Sequence, residues 1–221
     1  MEDIMTKLEE KIIKTQLKEK YGDEQVFVVP FNDVPRCITK ETQFISCSDN
    51  IFASITKVGF FKLRGEVEMN PDYKQIITYA VITNNDKYLA TKRLKGDERL
   101  RSQISLGVGG HISPEDYSDI SIEFISNALK REMKEEIDIS AATDMDISFL
   151  GLINDNSIEV SQDHLGLVFN IEIKSIQPIK IKETEKLEAI FMSRNEVINK
   201  YKSLENWSKI YADAVIGNWG L

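Results

Sequence analysis

The chain has 221 residues, 42% of them hydrophobic and 29% charged, which suits about one globular domain with an extension and excludes a disordered polymer. Its 36 acidic residues against 28 basic ones leave a net charge of −8, which argues against a nucleic-acid polymer as partner, because such binders neutralise phosphates with Lys and Arg. Cys37 and Cys47 are the only cysteines, without a CxxC pair, the N-terminus lacks a signal-peptide pattern, and no stretch nears the ~18 apolar residues of a membrane span. These features together predict a reduced, cytoplasmic protein without a membrane partner.

Ile4, Leu8, Ile12, Ile13 and Leu17 recur at helical spacing, so residues 3–20 are expected to form a helix that stops at Tyr21-Gly22-Asp23. Val26-Phe27-Val28-Val29 reads as a short buried strand, residues 32–50 as loop with room for a turn of helix, Phe60 to Leu63 as a strand and Met69-Asn70-Pro71-Asp72 as a turn. Gln75 to Thr83 is strongly β-branched, Asn84-Asn85-Asp86 suits a hairpin turn, and Lys87 to Lys92 is its return strand. A basic connection over residues 93–101 leads to Ser105-Leu106-Gly107-Val108-Gly109-Gly110-His111, a strand running into a glycine pair. Residues 120–137 form a helix with Ile122, Ile125, Leu129 and Met133 on its apolar stripe. Strands follow at 147–153, 165–173 and 187–192, then helical pieces at 195–201 and 204–216. This order predicts an α/β (α+β) sandwich of mixed sheets over residues 71–221, with residues 1–70 as an N-terminal extension packed on it.

The chemistry concentrates at the end of the central helix. Glu132, Glu135 and Glu136 stand at i, i+3 and i+4, which puts three mutually repelling carboxylates on one face. Arg131 and Lys134 offset part of that repulsion, and a hard divalent cation would offset more. A solvated charged face is the plainer reading of those six residues taken alone. Their surroundings favour chemistry: a glycine pair ends the preceding strand, and Glu123 lies with seven residues between it and Arg131.

Arg131-Glu132-Met133-Lys134-Glu135-Glu136 with Glu123 upstream resembles the Nudix box, whose pattern is Gly, five residues, Glu, seven residues, Arg-Glu-apolar-any-Glu-Glu-any-Gly-apolar. Two departures stand out. Twelve residues separate Gly110 from Glu123 where the pattern has five, the surplus including the polar run Ser113-Pro114-Glu115-Asp116-Tyr117. Asp138 replaces the late glycine, where a left-handed backbone is expected.

The resemblance implies a Nudix-type α/β/α sandwich and hydrolysis of a diphosphate linkage in a small nucleoside diphosphate derivative, assisted by Mg²⁺ or Mn²⁺. It implies Glu132, Glu135 and Glu136 as metal ligands, Glu132 and Glu135 as catalytic, and Arg131 as the residue that orients a neighbouring glutamate. Glu123 reads equally as a helix cap or as a metal-linked acid. Gly109 and Gly110 would admit metal or phosphate close to the backbone, or simply turn the chain. Arg93 and His111 are candidate substrate contacts, Arg93 as part of a basic rim with Lys92, Lys95, Arg99 and Arg101, a run that also suits a solvated loop. His164 precedes a strand near the same pocket. The proton acceptor is Glu132, Glu183, Glu185 or Glu188. Tyr79, Phe169, Phe191, Trp207 and Trp219 read as packing residues. A homodimer is expected because the family often pairs. The competing reading is a catalytically inactive Nudix-fold nucleotide-binding or regulatory protein. Isomerase chemistry on isoprenoid diphosphates, which needs a catalytic cysteine, is disfavoured because neither cysteine lies near the box.

Overall fold

The computed structural model describes residues 2–34, 37–38, 43–93, 103–138, 145–158, 161–174, 180–181 and 187–217. Helix α1 (Glu2–Tyr21) ends where Gly22 takes φ 55° and its N–H closes on the Lys18 carbonyl at 2.9 Å. Strand β1 (Gln25–Pro30) buries Val26 to Val29.

Residues 32–50 are not all loop. β2 (Gln43–Ser46) forms there, and α2 (Asn50–Val58) begins at their end. Four residues, three half-buried and one exposed, are too few to show a period. The Ile51, Ile55, Thr56 and Val58 of α2 are poor helix formers, so burying Phe52 and Ile55 sustains this helix rather than propensity. β3 (Phe60–Leu63) and the single turn α3 (Arg64–Val67) follow.

The centre of the molecule is β4 (Tyr73–Asn84). Asn85 and Asp86, with φ of 49° and 59°, make the two-residue turn into β5 (Lys87–Arg93), as the hairpin reading required. Then come β6 (Ile104–Ser105), β7 (Gly107–His111), α4 (Ser121–Glu136), β8 (Ile137–Asp138), β9 (Met145–Asn154) and β10 (His164–Ile173). β11 (Lys180–Ile181), β12 (Leu187–Ser193), α5 (Arg194–Asn199) and α6 (Asn206–Tyr211) complete the order, with a π turn over Ala212–Ile216.

Among the described residues the strands join in one ten-stranded mixed sheet, ordered β12-β5-β4-β10-β9-β2, plus a β11–β8 ribbon. One edge of β4 is shared by three antiparallel neighbours in turn: β1 on Tyr73 to Gln75, β7 on Ile77 to Val81, and β5 on Thr83 and Asn84. Its other edge runs parallel to β10 from Gln75 to Thr83. The sheet splits where β7 gives way to β5, and the cleft described below opens there. Strands β1, β2 and β3, all from the first 70 residues, belong to this sheet.

The two-residue period of β4 sends alternate side chains to two cores. Ile76, Ala80 and Ile82 pack with Phe124, Ile125, Ala128, Leu129 and Met133 of α4. Ile77, Tyr79 and Val81 pack with Trp207 and Tyr211 of α6. This is a mixed α/β fold with helices on both faces of the sheet. Ile122, expected on the apolar stripe of α4, is instead 54% exposed, and Phe124 and Ala128 complete the buried face. Asp138 does not take a left-handed backbone: Ile137 leaves the helix extended at φ −128°, and Asp138 pairs with Lys180 in the ribbon. No helix among the described residues is long and apolar enough to cross a membrane.

Candidate active site

Strand β7 delivers its glycines to the C-terminal turns of α4. A Cβ on Gly110 would fall 2.1 Å from the Glu132 carboxylate, so that carboxylate occupies the space the glycine leaves. Glu132 is only 13% exposed, and burial pushes its carboxyl above the usual range, with Arg131 opposing the shift. Glu136 lines a cavity of about 160 Å³ together with Gly107, Gly109, Tyr79, Glu205 and Trp207. Glu135 points outward and is 59% exposed. The helix therefore turns two of its three acids inward and leaves the third at the rim.

Arg131 fixes this arrangement. Its Nη1 donates to Glu132 Oε1 at 2.7 Å and to Glu135 Oε1 at 3.4 Å, and its Nη2 donates to the His111 carbonyl at 2.9 Å. Its principal partner is Asp116, which accepts from Nε at 2.9 Å and from Nη2 at 2.8 Å and is itself 3% exposed. That forked pair is the geometry in which guanidinium and carboxylate bind most strongly. Asp116 Oδ2 also accepts from the Ser113 N–H at 2.9 Å, and its carbonyl accepts from Asn127 Nδ2 at 3.1 Å.

These contacts correct the register of the upstream acid. Glu123 is exposed near the start of α4, where its Oε2 accepts from Ser118 Oγ at 3.0 Å, two turns of helix away from Arg131. Asp116 faces Arg131 instead, and five residues separate it from Gly110, the spacing of the box pattern. The surplus residues thus fall between Asp116 and the helix, and the polar run 113–117 is part of the site.

His111 and His164 stand with ring centroids 5.4 Å apart on the sheet face that carries Tyr79. His111 Nε2 lies 2.9 Å from Gln75 Oε1, and burial, together with Arg64, His164 and Arg131, holds its pKa well below 6.5. It is a neutral, packed histidine one residue beyond the glycine pair. His164 Nδ1 lies 2.8 Å from Asp163 Oδ1. Tyr79 and Trp207 line the cavity as well as packing together, with centroids 5.5 Å apart. Glu188 is exposed on β12 and lines a different cavity. The side chain of Arg93, together with Lys95, Arg99, Arg101, Glu183, Glu185 and Trp219, lies outside the described residues.

Glu205 carried no signal in the sequence. It precedes α6, and its Oε1 accepts from Ser208 Oγ at 2.9 Å, Tyr79 Oη at 3.0 Å and Ser105 Oγ at 3.1 Å. Burial raises its carboxyl above the usual range.

Among the described residues no three His, Cys, Asp or Glu side chains converge tightly enough to hold an ion as they stand. The donor chemistry nevertheless fits a hard divalent cation: Glu132 lies in the recess at Gly110, Glu136 is one helical turn on, and Glu135 stands exposed at the rim beside Arg131. Burial and the neighbouring Glu135 and Asp116 each raise the Glu132 carboxyl, a strain that a cation relieves.

No family model matches the chain. Protein YmaB of Bacillus subtilis (strain 168) is 31% identical over 199 residues, spanning 86% of this chain and 97% of the relative. The crystal structure of Tm1382, described as "a putative Nudix hydrolase", is 31% identical and superposes with a TM-score of 0.74 over 87% of this chain and 98% of that one.

Proposed function

The chain belongs to the Nudix hydrolase superfamily, and from that membership we propose that it hydrolyses a diphosphate linkage in a nucleoside diphosphate derivative with Mg²⁺ or Mn²⁺ held by Glu132, Glu135 and Glu136. The observation that carries the reading is the clamp in which Asp116 fixes Arg131 and Arg131 fixes Glu132 over Gly110, beside a cavity that Glu136 lines. A merely solvated charged face has no need of a buried carboxylate to orient its arginine.

When bound, the cation would neutralise phosphate oxygens and lower the pKa of an attacking water. The chain's own residues do the rest. Arg131 sets the direction of the Glu132 carboxylate and spends its remaining donors on the loop, so that Glu132 does not have to be ordered when substrate arrives. Gly110 leaves room for the Glu132 carboxylate against the strand, a space that any side chain there would take from it. Of the candidate proton acceptors among the described residues, Glu132 is at the site and Glu188 is not.

Purified protein incubated with nucleoside diphosphate sugars, dinucleotides and nucleoside triphosphates should release product only with Mg²⁺ or Mn²⁺. Glu136→Gln should lower kcat by at least ~100-fold, the scale expected for a lost metal ligand. Saturable ligand binding without turnover across the whole panel would instead identify a binding module and end the enzymatic reading.

A further inference from the structure

At the far end of α6 from the candidate site, a second cavity of about 550 Å³ opens on the same face of the sheet. Thr83 in its floor lies four residues past Tyr79 on β4, ~13 Å along the strand. Helix α6 lines both cavities, with Trp207 at one and Tyr211 at the other. Tyr211 is 2% exposed, yet no group among the described residues bonds its hydroxyl. A phenol at that depth ordinarily finds a partner, so this hydroxyl is left for an occupant of the cavity. Burial and the neighbouring Tyr88 push its pKa above the usual value, which keeps the O–H available to donate. Tyr88 of β5 also lines the cavity, and its hydroxyl too lacks a partner among the described residues.

Charges of both signs stand around these two phenols. Asp86 raises the Tyr88 pKa and Arg194 lowers it, so an acid and a guanidinium act on one hydroxyl. Arg194 is set in place by backbone carbonyls, donating from Nε to Ile216 at 3.3 Å and from Nη2 to Gly217 at 2.6 Å. Glu172 brings a second carboxylate to the lining, and Leu150 and the 40% exposed Val215 bring an apolar wall. A simple anion would meet the two carboxylates, and a simple cation would meet the guanidinium. A sugar would satisfy the polar groups but leave the apolar wall against hydroxyls. An ammonium beside a carboxylate, on a molecule with a hydrocarbon side chain, satisfies all three features. We propose that this cavity binds a free α-amino acid with an apolar side chain, its carboxylate accepting from the Tyr211 and Tyr88 hydroxyls beside Arg194 and its ammonium donating to Asp86 and Glu172. The inference does not rest on the hydrolase reading.

The test is calorimetric titration of the full chain with L-leucine, L-methionine and L-phenylalanine, each beside the amine that lacks its carboxylate and the acid that lacks its amino group. At least one amino acid should bind saturably and roughly tenfold or more tighter than both of its analogues, the value of one hydrogen bond to a charged group. Tyr211→Phe removes a hydroxyl that bonds nothing among the described residues, so it should weaken that amino acid roughly tenfold and leave the melting temperature unchanged. Asp86→Asn sits on the exposed hairpin turn at a positive φ that Asn also accepts. It should weaken the amino acid to a similar degree and leave the acid analogue unaffected. Failure of all three amino acids to bind, an amine or acid that binds as tightly as its parent (a site for one charge only), or an affinity untouched by Tyr211→Phe each overturn the proposal. Should Tyr211→Phe fail to fold, the analogue comparison and Asp86→Asn still decide. None of these ligands contains phosphate, so the outcome stands apart from any measurement of turnover.

Discussion

Replacing Asp116 by Asn tests which acid completes the site. The carboxylate is 3% exposed and takes two hydrogen bonds from Arg131 and one from the Ser113 N–H. Asparagine keeps one acceptor, but whichever way the amide turns its NH₂ faces a donor, Arg131 Nε on one side or Arg131 Nη2 and the Ser113 N–H on the other. Breaking a buried ion pair from one side costs about 3–5 kcal/mol. Arg131 is 21% exposed, so water recovers part of this, and a loss of about 2–3 kcal/mol is expected. For a chain of this size that lowers the melting temperature by roughly 5–10 °C. Calorimetry and urea unfolding should find this for Asp116→Asn, while exposed Glu123→Gln stays within about 0.5 kcal/mol of the parent. Turnover should follow the same order, because the Arg131 that orients Glu132 depends on Asp116 alone of the two. Equal destabilisation by the two substitutions, or a larger effect at Glu123, would refute the assignment of Asp116.

Gly110→Ala places a methyl 2.1 Å from the Glu132 carboxylate. Since a misplacement of about 1 Å can cost ~100-fold in rate, a large loss of kcat with a small change in melting temperature is expected, and unchanged kinetics would show that Glu132 is not used. Lys74 is 1% exposed, and burial lowers its pKa from 10.5 to about 8. Between those values the unfolded chain holds a proton that the folded chain has shed, so stability rises with pH above 8, by at most roughly 3 kcal/mol. Urea unfolding between pH 7.5 and 9.5 should show that slope in the parent protein and not in Lys74→Met; matching slopes would remove the buried ammonium from the account. A fragment of residues 71–221 loses Val28, Val29, Phe52, Ile55 and Val67, all at most 4% exposed. At about 1.5–3 kcal/mol each, their burial rivals the whole stability of a domain, so the fragment should show no cooperative melting transition, and a sharp transition would mark residues 1–70 as dispensable.

The parts of the fold legible in the sequence are those with a strong local period or a committed turn. The β-branched run of β4, the Asn85-Asp86 hairpin and the amphipathic α4 belong to this group, each announced by residues close in sequence. α2 and β2 were hidden because their stability is tertiary: Phe52 of α2 lies against Phe149 and Phe169, almost 100 residues and more away, and β2 exists by pairing with β9. In the site, Arg131 and the glutamates were legible because one helix carries them all. Asp116 was legible in principle, standing at the required spacing from Gly110, but Glu123 matched the second spacing and drew the alignment to itself. Only the fold, which puts Asp116 beneath Arg131, separates the two. Glu205 had no local signal at all, because its meaning comes from Tyr79 and Ser105, which the fold brings from more than 90 residues away.

The longer connection between β7 and α4 does not make the site looser, because the N-terminal strands and α2 hold what the extra residues would otherwise free. The Phe27 N–H donates to the Ile112 carbonyl at 2.9 Å, tying β1 to the residue directly after His111. At the far end of the connection, Thr56 Oγ1 of α2 lies 2.7 Å from Ser121 Oγ at the first turn of α4. Between them Phe124 is gripped edge-on by Phe27, Phe61 and Tyr117, at centroid distances of 4.9, 6.0 and 5.7 Å. Both ends of the loop are therefore fixed from the N-terminal side, and Asp116 pins its middle to Arg131 from the other. A loop pinned at three points keeps little of the entropy that its length would add, since closure cost grows only slowly with the number of residues and each anchor shortens the free span. Phe27, Thr56 and Phe61 thus bear on the candidate site by holding the loop that carries Asp116.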